Sequence, residues 1–169
     1  SAGGGMMNWR LSEIQRAVGG VLCGPDQAIV GVSTDTRTVE PGQLFVALRG
    51  ERFDGHDFLE QAIAAGAGAL LVAEEARMPV GASALVVADP RIALGRMAAA
   101  WRARFEIPVI AVTGSNGKTT TKEMIAAILT SEFGDTVLAT RGNLNNDIGL
   151  PLTLLELDPG HRAAVIEMG

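Results

Sequence analysis

Short apolar runs alternate along the chain with stretches of helical periodicity, and glycine, proline or small polar residues separate them. Ala28–Val32, Leu44–Leu48, Ala69–Ala73, Ala84–Val87, the run that Pro108 opens and Gly114 ends, Thr136–Ala139 and Ala163–Gly169 read as strands. Trp9, Leu11, Ile14 and Val18 suit a short helix that Gly19-Gly20 ends. Asp54 or Asp57 can cap a second helix running to about Ala65, with Phe58, Ala62 and Ile63 on its buried side. A third opens at Asp89-Pro90 and keeps Leu94, Met97, Ala98, Trp101 and Phe105 on one face. A fourth starts at Lys118, with Met124, Ile125, Ile128 and Leu129 together. Strands alternating with helices imply an α/β fold with a largely buried sheet. The expected division is a small domain over residues 6–88 and a second over residues 89–169, with Ser1–Gly5 read as a tag remnant.

The fourth helix follows Val109-Ile110-Ala111-Val112-Thr113-Gly114-Ser115-Asn116-Gly117-Lys118-Thr119-Thr120-Thr121, a buried strand, a glycine loop and a first helical turn. Such a loop turns successive backbone N–H groups toward an anion, and the helix N-terminus adds unpaired donors and its dipole. Gly114 and Gly117 let the backbone approach a phosphate with no Cβ in the way. Lys118 can reach terminal phosphates, as the catalytic cation, and the Thr119 hydroxyl can bind the accompanying Mg²⁺. The expected ATP site is therefore Gly114, Ser115, Asn116, Gly117, Lys118, Thr119 and Thr120. The general P-loop pattern has a glycine where this chain has Val112, and the first glycine comes two residues later. The compact form Thr113–Thr120 resembles the ATP loop of the Mur ligases and of folylpolyglutamate synthetases, which join an amine to a carboxylate with ATP.

Composition narrows the setting. Of 169 residues, 47% are hydrophobic and 20% charged, with a net charge of −5, as in a soluble globular protein with room for one large or two small domains. The acidic balance and lack of basic clusters argue against a nucleic-acid partner. Cys23 is the single cysteine, so no intrachain disulfide can form; a reducing compartment and a small buried apolar role for Cys23 are expected. No apolar run has the length of a membrane span, and the N-terminal stretch lacks the layout of a secretory signal. His56 has no second metal-type ligand at useful spacing and reads as a hydrogen-bonding loop residue.

A second resemblance covers the first domain. Ser33-Thr34-Asp35-Thr36-Arg37 alone is a plausible turn. Together with Pro41-Gly42-Gln43-Leu44-Phe45-Val46-Ala47, Gly50 and Asp54-Gly55-His56-Asp57-Phe58 it resembles the N-terminal domain of Mur ligases, which holds the uridine diphosphate of the sugar-peptide substrate. The resemblance implies that Ser33, Thr34, Asp35 and Arg37 lie near the uracil or ribose-phosphate. The run Thr140–Pro151, with Asn143, Asn146 and Asp147, resembles the loop of the family branch that adds D-alanyl-D-alanine. Glu167-Met168-Gly169 matches the family's Glu-Met-Gly, whose glutamate binds Mg²⁺, so the resemblance pairs Thr119 with Glu167 at the metal. Taken together it implies a uridine-binding domain followed by the start of a P-loop domain with a mainly parallel sheet. The implied substrates are ATP, UDP-N-acetylmuramoyl-tripeptide and D-alanyl-D-alanine, with Mg²⁺ as cofactor, in a cytoplasmic monomer serving peptidoglycan precursor synthesis. As the N-terminal portion of such an enzyme, the chain alone is expected to make no product. The alternatives are another Mur-type or folylpolyglutamate-type ligase, or a nucleotide-binding fragment without activity.

Overall fold

The computed structural model describes residues 7–73, 77–112, 118–140 and 148–167. The chain forms two compact units, the first ending at Met97 and the second starting at Ala98. That division falls inside helix α3 (Pro90–Arg102), whose start is where the sequence placed the domain boundary.

In the first unit, β1 (Trp9–Arg10) pairs antiparallel with β3 (Ala28–Ile29), bringing Trp9 opposite Ile29. The helix expected from Trp9 begins two residues later, as α1 (Leu11–Val18). Arg10 is extended (φ −84°, ψ 149°), and its N–H donates to the Glu13 carboxylate at 3.1 Å, which fixes the start. Leu11, Ile14 and Val18 form the buried stripe of α1.

A strand not read from the sequence follows, β2 (Val21–Cys23), in which Cys23 is half-buried and not the core residue expected. Gly20 permits it: φ is +92°, and a Cβ there would stand 2.4 Å from the Val86 carbonyl oxygen. The apolar run Ala28–Val32 is not one strand. It breaks at Val30-Gly31 into β3 and β4 (Val32–Ser33), because Gly31 accepts from Leu44 N–H and Val30 N–H donates to Gly42. The two halves enter different sheets.

The larger sheet has the order β2-β7-β6-β5-β4, with β5 at Leu44–Val46, β6 at Ala69–Val72 and β7 at Ala84–Val86. Strands β4 to β7 run parallel, and β2 closes the β7 edge antiparallel. Phe45, Leu70, Val72 and Ala84 pack with Leu59 and Ala62 of α2 (Leu59–Ala64) to form the core. Each such large side chain contributes about 1.5–3 kcal/mol through burial. A 3₁₀ turn at Gly55–Phe58 precedes α2 and shifts its phase. Leu59 therefore takes the buried place expected of Phe58, which is half-buried and stacks on Phe53 at 5.0 Å.

In the second unit a three-stranded parallel sheet has the order β8-β10-β9, with β8 at Val109–Val112, β9 at Val137–Ala139 and β10 at Ala163–Glu167. Trp101, near the end of α3, donates from its indole N–H to the Leu157 carbonyl at 2.8 Å. Phe105 lies past the helix end and meets Trp101 edge-on at 5.5 Å.

Helix α4 (Lys118–Phe133) rests on the sheet by half of the face expected, Ile125 and Leu129. Met124 and Ile128 are 62% and 67% exposed. The covered stripe is Lys122, Ile125, Ala126 and Leu129, spaced i, i+3, i+4 and i+7. A lysine heads it, so hydrophobicity alone pointed to the neighbouring rows. A further short helix, α5 (Gly149–Leu154), was hidden by Gly149 and Pro151; the proline sits in the first turn, where its missing N–H leaves nothing unpaired.

Candidate functional site

The β8-β10-β9 order puts Glu167, the last residue of β10, in register beside Val112, the last residue of β8. The C-terminal edge of an α/β sheet is where ligand groups collect. Glu167 is 3% exposed, and its N–H donates to Thr140 Oγ1 at 2.9 Å. Thr140 in turn donates from its hydroxyl (3.2 Å) and its backbone N–H (3.0 Å) to the Val165 carbonyl. So the ends of β9 and β10 are laced by one threonine.

Sequence reasoning missed the cation here. Lys122 is 2% exposed; its Nζ donates to the Thr140 carbonyl at 2.8 Å and lies 3.9 Å from Glu167 Oε2 and 3.3 Å from Glu123 Oε1. Glu123 is well exposed, so that contact is weak. The pair with Glu167 is almost fully buried on both sides. Its spacing from Lys118, one helical turn, was the available signal.

Of the expected nucleotide residues, Gly114, Ser115, Asn116 and Gly117 lie outside the described residues. Lys118 and Thr119 open α4, though their side chains lie outside the described part; Thr120 is exposed in the first turn. That turn leaves its first backbone N–H groups without helical partners, as every helix start does. Asn143, Asn146 and Asp147 also lie outside the described residues. Among the described residues, no cluster of three His, Cys, Asp or Glu could cage a metal. Mg²⁺ needs none, since it takes one or two carboxylates and completes its shell with phosphate, hydroxyl and water oxygens. A buried carboxylate at the strand end fits that donor set.

The first unit places the other predicted group around the end of β4. Ser33 is buried; its hydroxyl donates to the Asp35 carbonyl at 3.0 Å and accepts from the Asp35 N–H at 3.2 Å. Asp35 accepts from Arg37 Nη2 (2.7 Å), Nε (3.0 Å) and backbone N–H (2.9 Å). Hydrogen bonds from the Arg37 side chain, then its backbone, hold the Asp35 carboxyl below its ordinary range, and Asp35 raises Arg37 in return. The Arg37 side chain is 87% exposed, so one face of this forked cation stays open to solvent. Thr34 is half-buried between them.

A second polar cluster sits near the C-terminal ends of β5 and β6. His56 is buried, with Nδ1 2.7 Å from Asp54 Oδ1 and Nε2 accepting from Ala73 N–H at 2.9 Å. Because Nε2 accepts, Nδ1 carries the proton. His56 is thus the hydrogen-bonding residue expected, although its partner Ala73 was not foreseeable from local sequence. Burial raises the Asp54 carboxyl, but hydrogen bonds from the His56 backbone, the His56 ring and Arg77 outweigh it and hold the group well below its ordinary value. Arg77 also pairs with Asp57. A pocket of about 240 Å³ opens beside this cluster, bordered by Arg49, His56, Ala73, Asp89 and Arg91.

Two family models match the chain: the Mur ligase family catalytic domain over residues 28–102 and the Mur ligase middle domain over residues 112–169. The UDP-N-acetylmuramoyl-tripeptide–D-alanyl-D-alanine ligase of Escherichia coli is 52% identical over 97% of this chain and 35% of its own length. That of Bacillus subtilis is 45% identical over 97% of this chain and 36% of its own. Among solved structures, MurF from Acinetobacter baumannii superposes with a TM-score of 0.89 at 43% identity, covering 98% of this chain and 36% of that one. The MurF ligase from Thermotoga maritima in complex with ADP gives 0.72 at 35% identity, over 82% of this chain and 31% of that one. The chain spans about a third of the length of the curated relatives it matches. With a Mur ligase family model matching each part of the chain and relatives that agree in kind, this chain belongs to the Mur ligase family.

Proposed function

We propose that the chain supplies the uridine-binding unit and the first part of the ATP-binding domain of a ligase adding D-alanyl-D-alanine to UDP-N-acetylmuramoyl-tripeptide. The observation that carries this is the register of Glu167 beside Val112, the last described residue before the Thr113–Gly117 sequence, with α4 opening at Lys118 after it. It sets a buried acid next to a sequence suited to phosphate, and the relatives at 45–52% identity carry that activity in their names.

A carboxylate is a poor electrophile until one of its oxygens becomes a leaving group. ATP therefore first transfers its terminal phosphoryl group to the tripeptide carboxylate, giving an acyl phosphate and ADP. The amine of D-alanyl-D-alanine then attacks the acyl carbon, phosphate leaves with the C–O electron pair, and the new amide nitrogen gives up a proton. In this reading the amides of Gly114, Ser115, Asn116 and Gly117, with Lys118, hold the phosphates, while Thr119 and Thr120 face them from the first turn of α4. Glu167 and Thr119 would hold Mg²⁺, which when bound neutralises charge between the phosphates. Ser33, Thr34, Asp35 and Arg37 hold the uridine diphosphate, with Arg37 as the forked phosphate partner. Asn143, Asn146 and Asp147, outside the described residues, are further substrate-binding residues in this reading. A cytoplasmic monomer completes the reading, without a nucleic-acid partner, as the net charge of −5 supports; among the described residues no helix is long and apolar enough to cross a membrane.

Calorimetric titration with Mg²⁺-ADP and separately with UDP-N-acetylmuramoyl-tripeptide tests this, alongside amide chemical-shift mapping. Lys118→Ala should weaken ADP binding by at least tenfold, about 1.4 kcal/mol. The sugar-peptide should shift amides around Ser33–Arg37. Shifts from the sugar-peptide confined to residues after Pro108, or ADP binding indifferent to Lys118, would overturn the assignment.

A further inference from the structure

We propose that Lys122 is a positioning residue for the metal: it fixes α4 against the strand ends and so sets the distance between Thr119 and Glu167. This rests on the nucleotide and Mg²⁺ reading above. The two oxygens assigned to the cation come from different elements, the first turn of α4 and the last residue of β10. Their spacing is only as fixed as the contact between those elements. Lys122 makes that contact one turn past Lys118, through its Nζ–H bond of 2.8 Å to the Thr140 carbonyl. Thr140 carries the constraint onward, because its hydroxyl accepts the Glu167 N–H at 2.9 Å. The ammonium also stands 3.9 Å from Glu167 Oε2, close enough to bias which way the carboxylate turns.

A merely structural lysine would be an odd choice at this place. Bringing an ammonium to 2% exposure costs desolvation, and an apolar residue of the same volume would cover the sheet without that cost. Ile125, Ala126 and Leu129 in the same stripe do so. Two effects on a bound cation oppose each other: the charge of Lys122 repels it, and the geometry Lys122 imposes presents Glu167 to it. Groups that orient metal ligands typically change metal affinity by 10–100-fold when removed. Positioning should therefore outweigh repulsion.

The test is the Mg²⁺ dependence of ADP affinity in wild type, Lys122→Met and Thr140→Val, measured by calorimetry with and without Mg²⁺. Amide spectra without ligands are recorded alongside. Lys122→Met should lose about tenfold of the Mg²⁺-dependent gain while metal-free ADP affinity stays within twofold. Thr140→Val, which cuts the next link and keeps side-chain shape, should lose about threefold. In both variants the Glu167 amide should shift before any ligand is added. If Lys122→Met does not fold, Thr140→Val decides alone. Mg²⁺ dependence unchanged within twofold, tighter Mg²⁺ binding, or an equal loss with and without metal would overturn the inference while leaving the nucleotide reading intact. A wild-type chain that binds ADP with no Mg²⁺ dependence overturns the metal assignment of Glu167, and this inference with it.

Discussion

Gly55 shows at the scale of one residue how little space the turn before α2 leaves. Its conformation is one any residue can adopt, yet a Cβ would stand 2.8 Å from Leu48 N and 2.9 Å from Ala47 Cα, both backbone atoms. Gly55→Ala should lower stability by about 1–3 kcal/mol, read as a drop in melting temperature, because backbone has to move to admit it. An unchanged melting temperature would contradict that geometry. Reading the sequence gave Asp54 and His56 as loop residues with hydrogen bonds to make, which they are. It could not give Ala73, seventeen positions on, as the donor to Nε2. Lys122 was illegible for a different reason: a lysine on a helix reads as solvent-facing unless its acceptor is known, and the Thr140 carbonyl is supplied by the fold. For residues 113–117, outside the described part, the phosphate-binding expectation rests on residue types and spacing alone.

Among the elements, the parallel strands of the two larger sheets were legible as apolar runs, with the limits a pattern imposes. Nothing in Ala28–Val32 says that one half belongs to another sheet, because the break depends on Gly31 and Gly42 meeting other segments. Strand β2 is too short and too exposed to produce a pattern. On α4 the pattern pointed to adjacent rows, and the structure selects one of them. Ile128→Lys should accordingly change stability by less than about 0.5 kcal/mol, whereas Leu129→Ala on the covered stripe should cost about 1 kcal/mol or more. Urea denaturation of the two variants side by side distinguishes the rows; the reverse ranking would mean that α4 rests on its other face.

On the whole-molecule scale, the carboxylates whose hydrogen bonds hold them below their ordinary range, among the described residues, all lie in the first unit: Asp26, Asp35 and Asp54. Asp26 is lowered from 3.8 to about 2, first by the Ser12 hydroxyl and then by the Ser12 N–H. A group held lower in the folded chain stabilises it above its unfolded value, and that contribution fades as pH falls through the folded one. The first unit should therefore lose stability as pH falls from about 4 toward 2. Each unit holds one tryptophan, so the indole N–H resonances of Trp9 and Trp101 follow the two separately. The Trp9 signal should fade first on acidification, and Asp26→Asn should flatten that response; an unchanged profile would remove Asp26 from the account. The strand order β8-β10-β9 carries a consequence for synthesis on the ribosome. Among the described residues, β8 and β9 each pair with β10 and not with one another. The middle strand of that sheet is thus the last of the three to be translated, and until it arrives two apolar edges have nothing to close on. The first unit has all its strands by Val86 and can settle early. Nascent chains halted short of Ala163 should hold that unit folded while exposing the apolar edge of β8, which makes this interval the one in which a chaperone has most to cover.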